Sequence, residues 1–312
     1  MRTQRRAGIL VLFVVVVAAL AATPRAEPVA VMIQLTGKVE IEKAGKAAAA
    51  TVGAALEPGD RLLVADGGKA VLMYRTGEIE TATSTRTIAA RQSEQVGNVY
   101  RQTMQTIAQV ATTDAARQPN RQGMIRPVPG EPAPISPRNG ISVQGTHPSF
   151  TWFAVPGASS YMIQLRRTDE PGHAPMRFGT GTDTTWSLPA ERTPLVRGAS
   201  YSWTVAPAGG RPAREVSFRV LDTATHEQLT AALAGLTAAG ADPAGDGLFI
   251  AALAYRDAGL YYEADRALAR LAGTDSGSGR TFFLLRGEVF DRLGDLDAAS
   301  VAFRTADAGS GS

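Results

Sequence analysis

The sequence predicts a multidomain chain: a small all-β module, then a β-sandwich, then C-terminal α-helical hairpins. Three observations carry that reading. Short apolar runs of period two, cut by glycine and proline turns, fill residues 29 to 88. A second series of alternating runs, rich in aromatics, fills residues 142 to 222, and beyond Leu221 the composition shifts to alanine, leucine and glycine at helical spacing. The chain has 312 residues and is 44% hydrophobic, which suffices for two or three domains with a core in each.

Residues 1–26 open with Arg2, Arg5 and Arg6, continue as an apolar run from Ala7 to Ala22, and end in small residues around Pro24 and Ala26. That layout predicts a secretory signal peptide cleaved after Ala26; the run is short for a membrane span, so an uncleaved anchor is the lesser alternative. Without this leader the net charge of +3 becomes −1, with 28 basic residues against 29 acidic. No basic field is left to argue for nucleic acid, and membrane contact is expected only through an uncleaved leader. The sequence has no cysteine, which excludes disulfides, thiolate zinc sites, cysteine nucleophiles and a lipidated N-terminal cysteine. A periplasmic or secreted protein of the bacterial envelope is expected.

The first module, residues 29–90, reads as strands VAVMIQL, KVEIEK, RLLVA, KAVLMY and EIETAT. Period two puts Val39 with Ile41, and Val71 with Met73, on one face of their strands, as in a half-buried antiparallel sheet. The stretches "GKVEIEKAG" and "GAALEPGDRLLVADGGKAVLMYRTGEIE" resemble the FecR family domain, the periplasmic part of iron-citrate signalling regulators that also occurs in other exported proteins. Thr76-Gly77 stands where Asp-Gly is usual, and "TATSTRT" replaces the usual apolar and serine positions. Regulators of that family begin with a cytoplasmic helical segment. Only six residues precede the apolar run here, so the resemblance implies the domain without its regulatory mechanism.

Residues 91–138 read as a helix and a proline-rich linker. The glutamine-rich part has Val96, Tyr100, Ile107 and Val110 at helical spacing, which predicts a helix packed on the first module or spanning between modules. The stretch from Gln118 has no apolar period and reads as a semi-rigid spacer. In the second module, residues 139–222, alternations at Phe150/Trp152, Tyr161/Ile163/Leu165, Tyr201/Trp203/Val205 and Val216/Phe218/Val220 mark inward faces. A leading strand around Ile141 and six more in about 80 residues suit an immunoglobulin-like sandwich. "FTWFAVPGASSYMIQL" and "LVRGASYSWTVAPAGG" resemble the fibronectin type III-like modules of bacterial envelope proteins. Trp152 and Trp203, in phase with apolar neighbours, are expected in the core, whereas Trp186 is not assigned.

In the third module, residues 223–308, two segments align at a constant offset of 35 residues. Ala252, Tyr255, Gly259, Tyr261, Ala264 and Leu268 correspond to Gly287, Phe290, Gly294, Leu296, Ala299 and Phe303. The pattern resembles the tetratricopeptide repeat, with Gly259 and Gly294 at the turn between paired helices. Two repeats bury too little surface alone, and a helix from Thr225 to Leu236 is expected to cover them.

No constellation in the sequence points to catalysis. His147, His173 and His226 lack metal-ligand spacing, and no nucleophile elbow or phosphate loop occurs. "GTGTDTT" from Gly179 is expected as a hairpin connection, Asp60 and Asp66 as turn residues, and Glu78 and Glu80 as one solvent face. No catalytic, cofactor or metal site is therefore expected. The tetratricopeptide resemblance implies a concave face for an extended peptide or partner helix, formed by Phe249, Leu253, Arg256 and Asp257 and by Leu284, Glu288, Asp291 and Arg292. A solvated helix face with internal ion pairs accounts for the charged members equally well. The reading is an exported, non-enzymatic adaptor or scaffold binding an envelope protein. The alternatives are a FecR-type signalling component and a peptidoglycan- or polysaccharide-binding protein, for which cell-wall polymer is the partner.

Overall fold

The computed structural model describes residues 27–91, 97–112, 129–170 and 172–308. The expected signal peptide, residues 92–96 and 113–117 of the expected helix, and residues 118–128 of the expected linker lie outside these.

Eight strands form the first module: β1 (Ala30–Thr36), β2 (Val39–Lys43), β3 (Lys46–Ala49), β4 (Ala55–Leu56), β5 (Arg61–Val64), β6 (Lys69–Tyr74), β7 (Ile79–Ala82) and β8 (Arg86–Thr87). They make two antiparallel sheets, in the orders β4-β1-β6-β7 and β3-β2-β5-β8. Between the sheets lies a core in which Ala30, Met32 and Leu72 meet Val39, Ile41 and Leu62. The expectation of a half-buried sheet holds for β2, where Val39 and Ile41 are buried and Glu40 and Glu42 face outward. It fails for β1 and β6. Val31, Ile33, Val71 and Met73, on their other face, are buried in a second core shared with the helices. An unbroken apolar run such as KAVLMY is what burial on both faces selects.

Glu78 and Glu80 are not a plain solvent face either. Glu80 is bound by both Arg86 and Arg91, Glu78 pairs with Arg91, and the Arg91 guanidinium lies 3.6 Å from the centroid of the Tyr74 ring. Asp60 is 8% exposed and accepts a hydrogen bond from the Glu57 N–H at 2.8 Å, closing the turn before β5.

The glutamine-rich segment folds as α1 (Asn98–Ala111), which buries Tyr100, Thr103, Thr106, Ile107 and Val110. It packs on helices of the third module, and the Tyr100 hydroxyl donates to the Pro28 carbonyl at 2.9 Å.

The second module is a two-sheet β-sandwich of β9 (Ala133–Ser136), β10 (Ile141–Val143), β11 (Ser149–Phe153), β12 (Tyr161–Arg167), β13 (Met176–Thr180), β14 (Thr185–Ser187), β15 (Ser200–Pro207) and β16 (Val216–Val220). The sheet orders are β10-β16-β15-β12-β13 and β14-β11-β9. Phe150, Trp152, Trp203 and Phe218 fill the space between them, and the Trp203 indole N–H donates to the Pro137 carbonyl at 2.9 Å. Half-buried Trp186 stacks on Phe178 at 4.5 Å and covers the edge of that core. Two expectations change. β9 lies inside the expected linker yet pairs with β11, and "GTGTDTT" joins β13 to β14 in the opposite sheet, so it is a crossover and not a hairpin.

Five helices follow: α2 (Thr223–Ala238), α3 (Leu248–Asp257), α4 (Tyr261–Leu271), α5 (Arg280–Leu293) and α6 (Leu296–Ala308). Asp222 caps α2, its carboxylate accepting from the Thr225 N–H at 2.9 Å. α3 packs with α4, and α5 with α6. Each short connection needs a left-handed residue, supplied by Gly259 at φ 73° and Gly294 at φ 76°. At Gly287 the missing side chain lets the Phe303 ring seat directly on α5. One hydrophobic cluster runs from β1 and β6 through α1 into α3, α4, α5 and α6. The sandwich has a core of its own, but Ile141 of β10 is buried in the helical cluster, and the two also meet through Leu221, Leu229 and Leu260 and through a backbone bond from the Ser142 N–H to the Gly259 carbonyl at 3.2 Å.

Candidate functional site

The eight residues expected on a concave face divide by depth. Phe249 and Leu284 are fully buried and Leu253 is 2% exposed, all inside the cluster beneath α1 and the first sheet. They are core residues and present nothing to a partner. The physical reason is occupancy: α1 packs against both α3 and α5, and β1 against α3, so the apolar part of that face is covered from within the chain.

Arg256, Asp257 and Glu288 are brought together at the polar end of the same face. The Arg256 guanidinium donates to Glu288 through Nε at 3.1 Å and Nη2 at 2.9 Å. Its Nη1 donates to Asp257 at 2.9 Å and to the Gln109 side-chain oxygen at 3.1 Å. The Thr106 hydroxyl donates to the other oxygen of Asp257. Arg256 and Glu288 side chains are only 16% and 15% exposed. Burial works against the Arg256 charge, but the hydrogen bonds to Glu288 and Asp257 outweigh it and hold the guanidinium's pKa above its ordinary value. Arg256 is thus held by its own chain through all three guanidinium nitrogens and is not free to grip a ligand carboxylate as a two-pronged fork. Arg292 is exposed at the rim, 5.6 Å from the centroid of the Tyr261 ring, while Asp291 is half-buried on the last turn of α5. Burial also raises the Tyr261 hydroxyl above its usual range, the nearby Arg292 partly offsetting it.

This network floors an open notch of about 470 Å³ between α1, α3 and α5. Gln102, Gln105 and Gln109 line its α1 side, all exposed. The side chains of Gln102 and Gln105 bond to no other described group, so each offers a free amide donor and acceptor. These glutamines were missed from the sequence because their segment reads as a connecting helix. The available signal was their spacing, which puts 102, 105 and 109 on one side of α1 opposite its apolar residues. The lining is nearly all polar. It cannot bury the apolar stripe of an amphipathic helix, but it can hydrogen-bond amide or hydroxyl groups of an extended chain.

Among the described residues no group of three or more His, Asp or Glu is placed to hold a metal ion. His147, His173 and His226 stay apart: His147 lies beside the Thr146 hydroxyl and the Arg192 carbonyl, His173 faces Glu170 at 3.7 Å, and His226 sits in α2. No described helix is long and apolar enough to cross a membrane.

No protein-family model and no curated protein matches the chain. Solved structures to which it is similar include the fibronectin type III domain of human fibronectin type III domain containing protein 3, at 21% identity, covering 32% of this chain and 94% of that one with a TM-score of 0.23. The FN5 domain of Drosophila Lar is similar at 19% identity over 30% of this chain and 98% of that one, TM-score 0.22. A Fn3-like protein from Clostridium thermocellum is similar at 19% identity over 25% and 88%, TM-score 0.19.

Proposed function

We propose that the chain is a non-catalytic adaptor of the bacterial envelope, built from a FecR-like β module, a fibronectin type III-like sandwich and tetratricopeptide-type helix pairs, and that it docks a partner protein in the notch between α1, α3 and α5. The observation that carries this reading is the pairing of a floor whose charged groups, Arg256, Asp257 and Glu288, are hydrogen-bonded to one another with free amides at Gln102 and Gln105 above it. A floor of this kind adds no unpaired charge to be desolvated on binding, and side-chain amides match the donors and acceptors of a peptide main chain. The occupant is an extended polar segment and not a partner helix.

The experiment uses surface variants, because changing Arg256 would break a structural network. Envelope extract is passed over immobilised chain, wild type and Gln102→Arg/Gln105→Arg, and any partner recovered is purified and titrated against both. The reading expects at least tenfold weaker binding by the double variant with an unchanged melting temperature. Equal affinity for both forms would place docking elsewhere on the molecule.

A further inference from the structure

A second cleft, of about 410 Å³, lies between the sandwich and α4 and is separate from the notch. Its size falls within the range of about 300–1,000 Å³ common to small-molecule sites. One wall carries Ser142, Gln144, Ser149 and Thr151, and the other carries Tyr262 and Asp265. Ser149 shares a hydrogen bond with Ser187 at 2.7 Å, and the Tyr262 hydroxyl is held by the Ile135 carbonyl, so the walls are positioned before anything binds. The Gln144 amide bonds to no other described side chain.

Asp265 is the unexpected member. It is half-buried, yet its carboxylate forms no hydrogen bond or salt bridge among the described residues. Burial pushes its carboxyl above the usual range, and the more distant charge of Arg286 offsets this only in part. A desolvated carboxylate without partners costs stability, and such groups concentrate at functional sites.

We infer that this cleft binds a saccharide, with Asp265 accepting hydrogen bonds from ligand hydroxyls and Gln144, Ser142 and Thr151 completing the polar contacts. Hydroxyls that can both donate and accept match a ligand of many hydroxyls, and Val143 and Pro148 give its C–H face apolar contact. A charge-assisted bond from a sugar hydroxyl supplies what the carboxylate lacks. Neighbouring Glu263 is already paired with Arg266 at 3.2 Å, so Asp265 is the unpaired acidic group of the cleft.

The test is calorimetric titration of the purified full chain with N,N′-diacetylchitobiose, cellobiose and, as the competing chemistry, the diamine putrescine. One saturable site for a disaccharide is expected, weakened at least tenfold in Asp265→Asn and in Gln144→Ala and unchanged in Gln102→Arg/Gln105→Arg. Asp265→Asn is expected to melt no lower than the wild type, because it removes a buried charge while keeping the shape. Absence of binding by both disaccharides, binding indifferent to both cleft variants, or binding of putrescine alone would each overturn the proposal. Failure here leaves the notch reading intact, since that rests on the double glutamine variant.

Discussion

Gly287 has no room for a side chain: a Cβ placed there would meet two ring carbons of Phe303 at 2.6 Å. Alanine is the better helix former by about 1 kcal/mol, but the ring is packed between α5 and α6 and cannot retreat freely. Gly287→Ala is therefore expected to destabilise the chain by roughly 1–3 kcal/mol, the range for overpacking a filled core. Urea unfolding checks this, and a variant as stable as the wild type would show that Phe303 can repack. The contact was legible in the sequence, since Gly287 and Phe303 both occupy positions of the 35-residue alignment. The role of Arg256 was not. Its position on the helix face is set by spacing, but its partner Gln109 lies 147 residues away in the chain, and Thr106, which donates to the neighbouring Asp257, lies 151 away from it. A local pattern carries no information about so distant a hydrogen bond.

Among the elements, β1 and β6 depart furthest from the expected alternation, and the loop between α4 and α5 shows how they are held. Ser276, 2% exposed, accepts from the Leu35 N–H at 2.9 Å and donates to the Leu35 carbonyl at 2.8 Å. One hydroxyl thus satisfies both main-chain groups of a residue in β1, tying the helical layer to the sheet. Ser276→Ala leaves a buried donor and acceptor without partners, and a loss of roughly 1–3 kcal/mol is expected. Amide exchange should quicken at Leu35. An unaffected Leu35 amide would mean that water replaces the hydroxyl at no cost. The helices themselves, their turns and the aromatic faces of the sandwich followed from periodicity and glycine placement. β9 did not, because Pro132, Pro134 and Pro137 mask a short strand within a proline-rich stretch.

For the whole molecule, the continuous cluster from β1 and β6 to α6 makes the first module and the helices one cooperative body, while the sandwich has a core of its own. Calorimetry should resolve two transitions, the larger containing both the first module and the helices. Separate melting of the first module would show that Val31, Ile33, Val71 and Met73 contribute little to its stability. Acid should weaken the first module through Glu80, whose carboxyl is held below its ordinary value chiefly by the hydrogen bond from Arg86 and further by Arg91. For a depressed carboxylate, the stabilisation is complete above the unfolded value, about pH 4.3, and is lost as pH falls through the lower folded value. Asp265 acts with the opposite sign, since its raised carboxyl penalises the fold until it is protonated. Glu80→Gln is accordingly expected to flatten the acid limb of the stability curve, measured by urea unfolding between about pH 5 and pH 3. An acid limb as steep as that of the wild type would count against the Arg86 and Arg91 contacts.

The sequence by itself determined where the longer strands and the helices form, the two glycine turns, the inward aromatics and the lack of cysteine chemistry. Those depend on the period and composition of each segment. Only the tertiary structure decided that the face of α3 and α5 is filled by α1 and the first sheet, which turns Phe249, Leu253 and Leu284 into core and leaves a polar notch in place of an apolar groove. Periodicity reports which side of an element must be buried. It does not report which distant element buries it, because that choice rests on packing and hydrogen bonds between residues far apart in the chain.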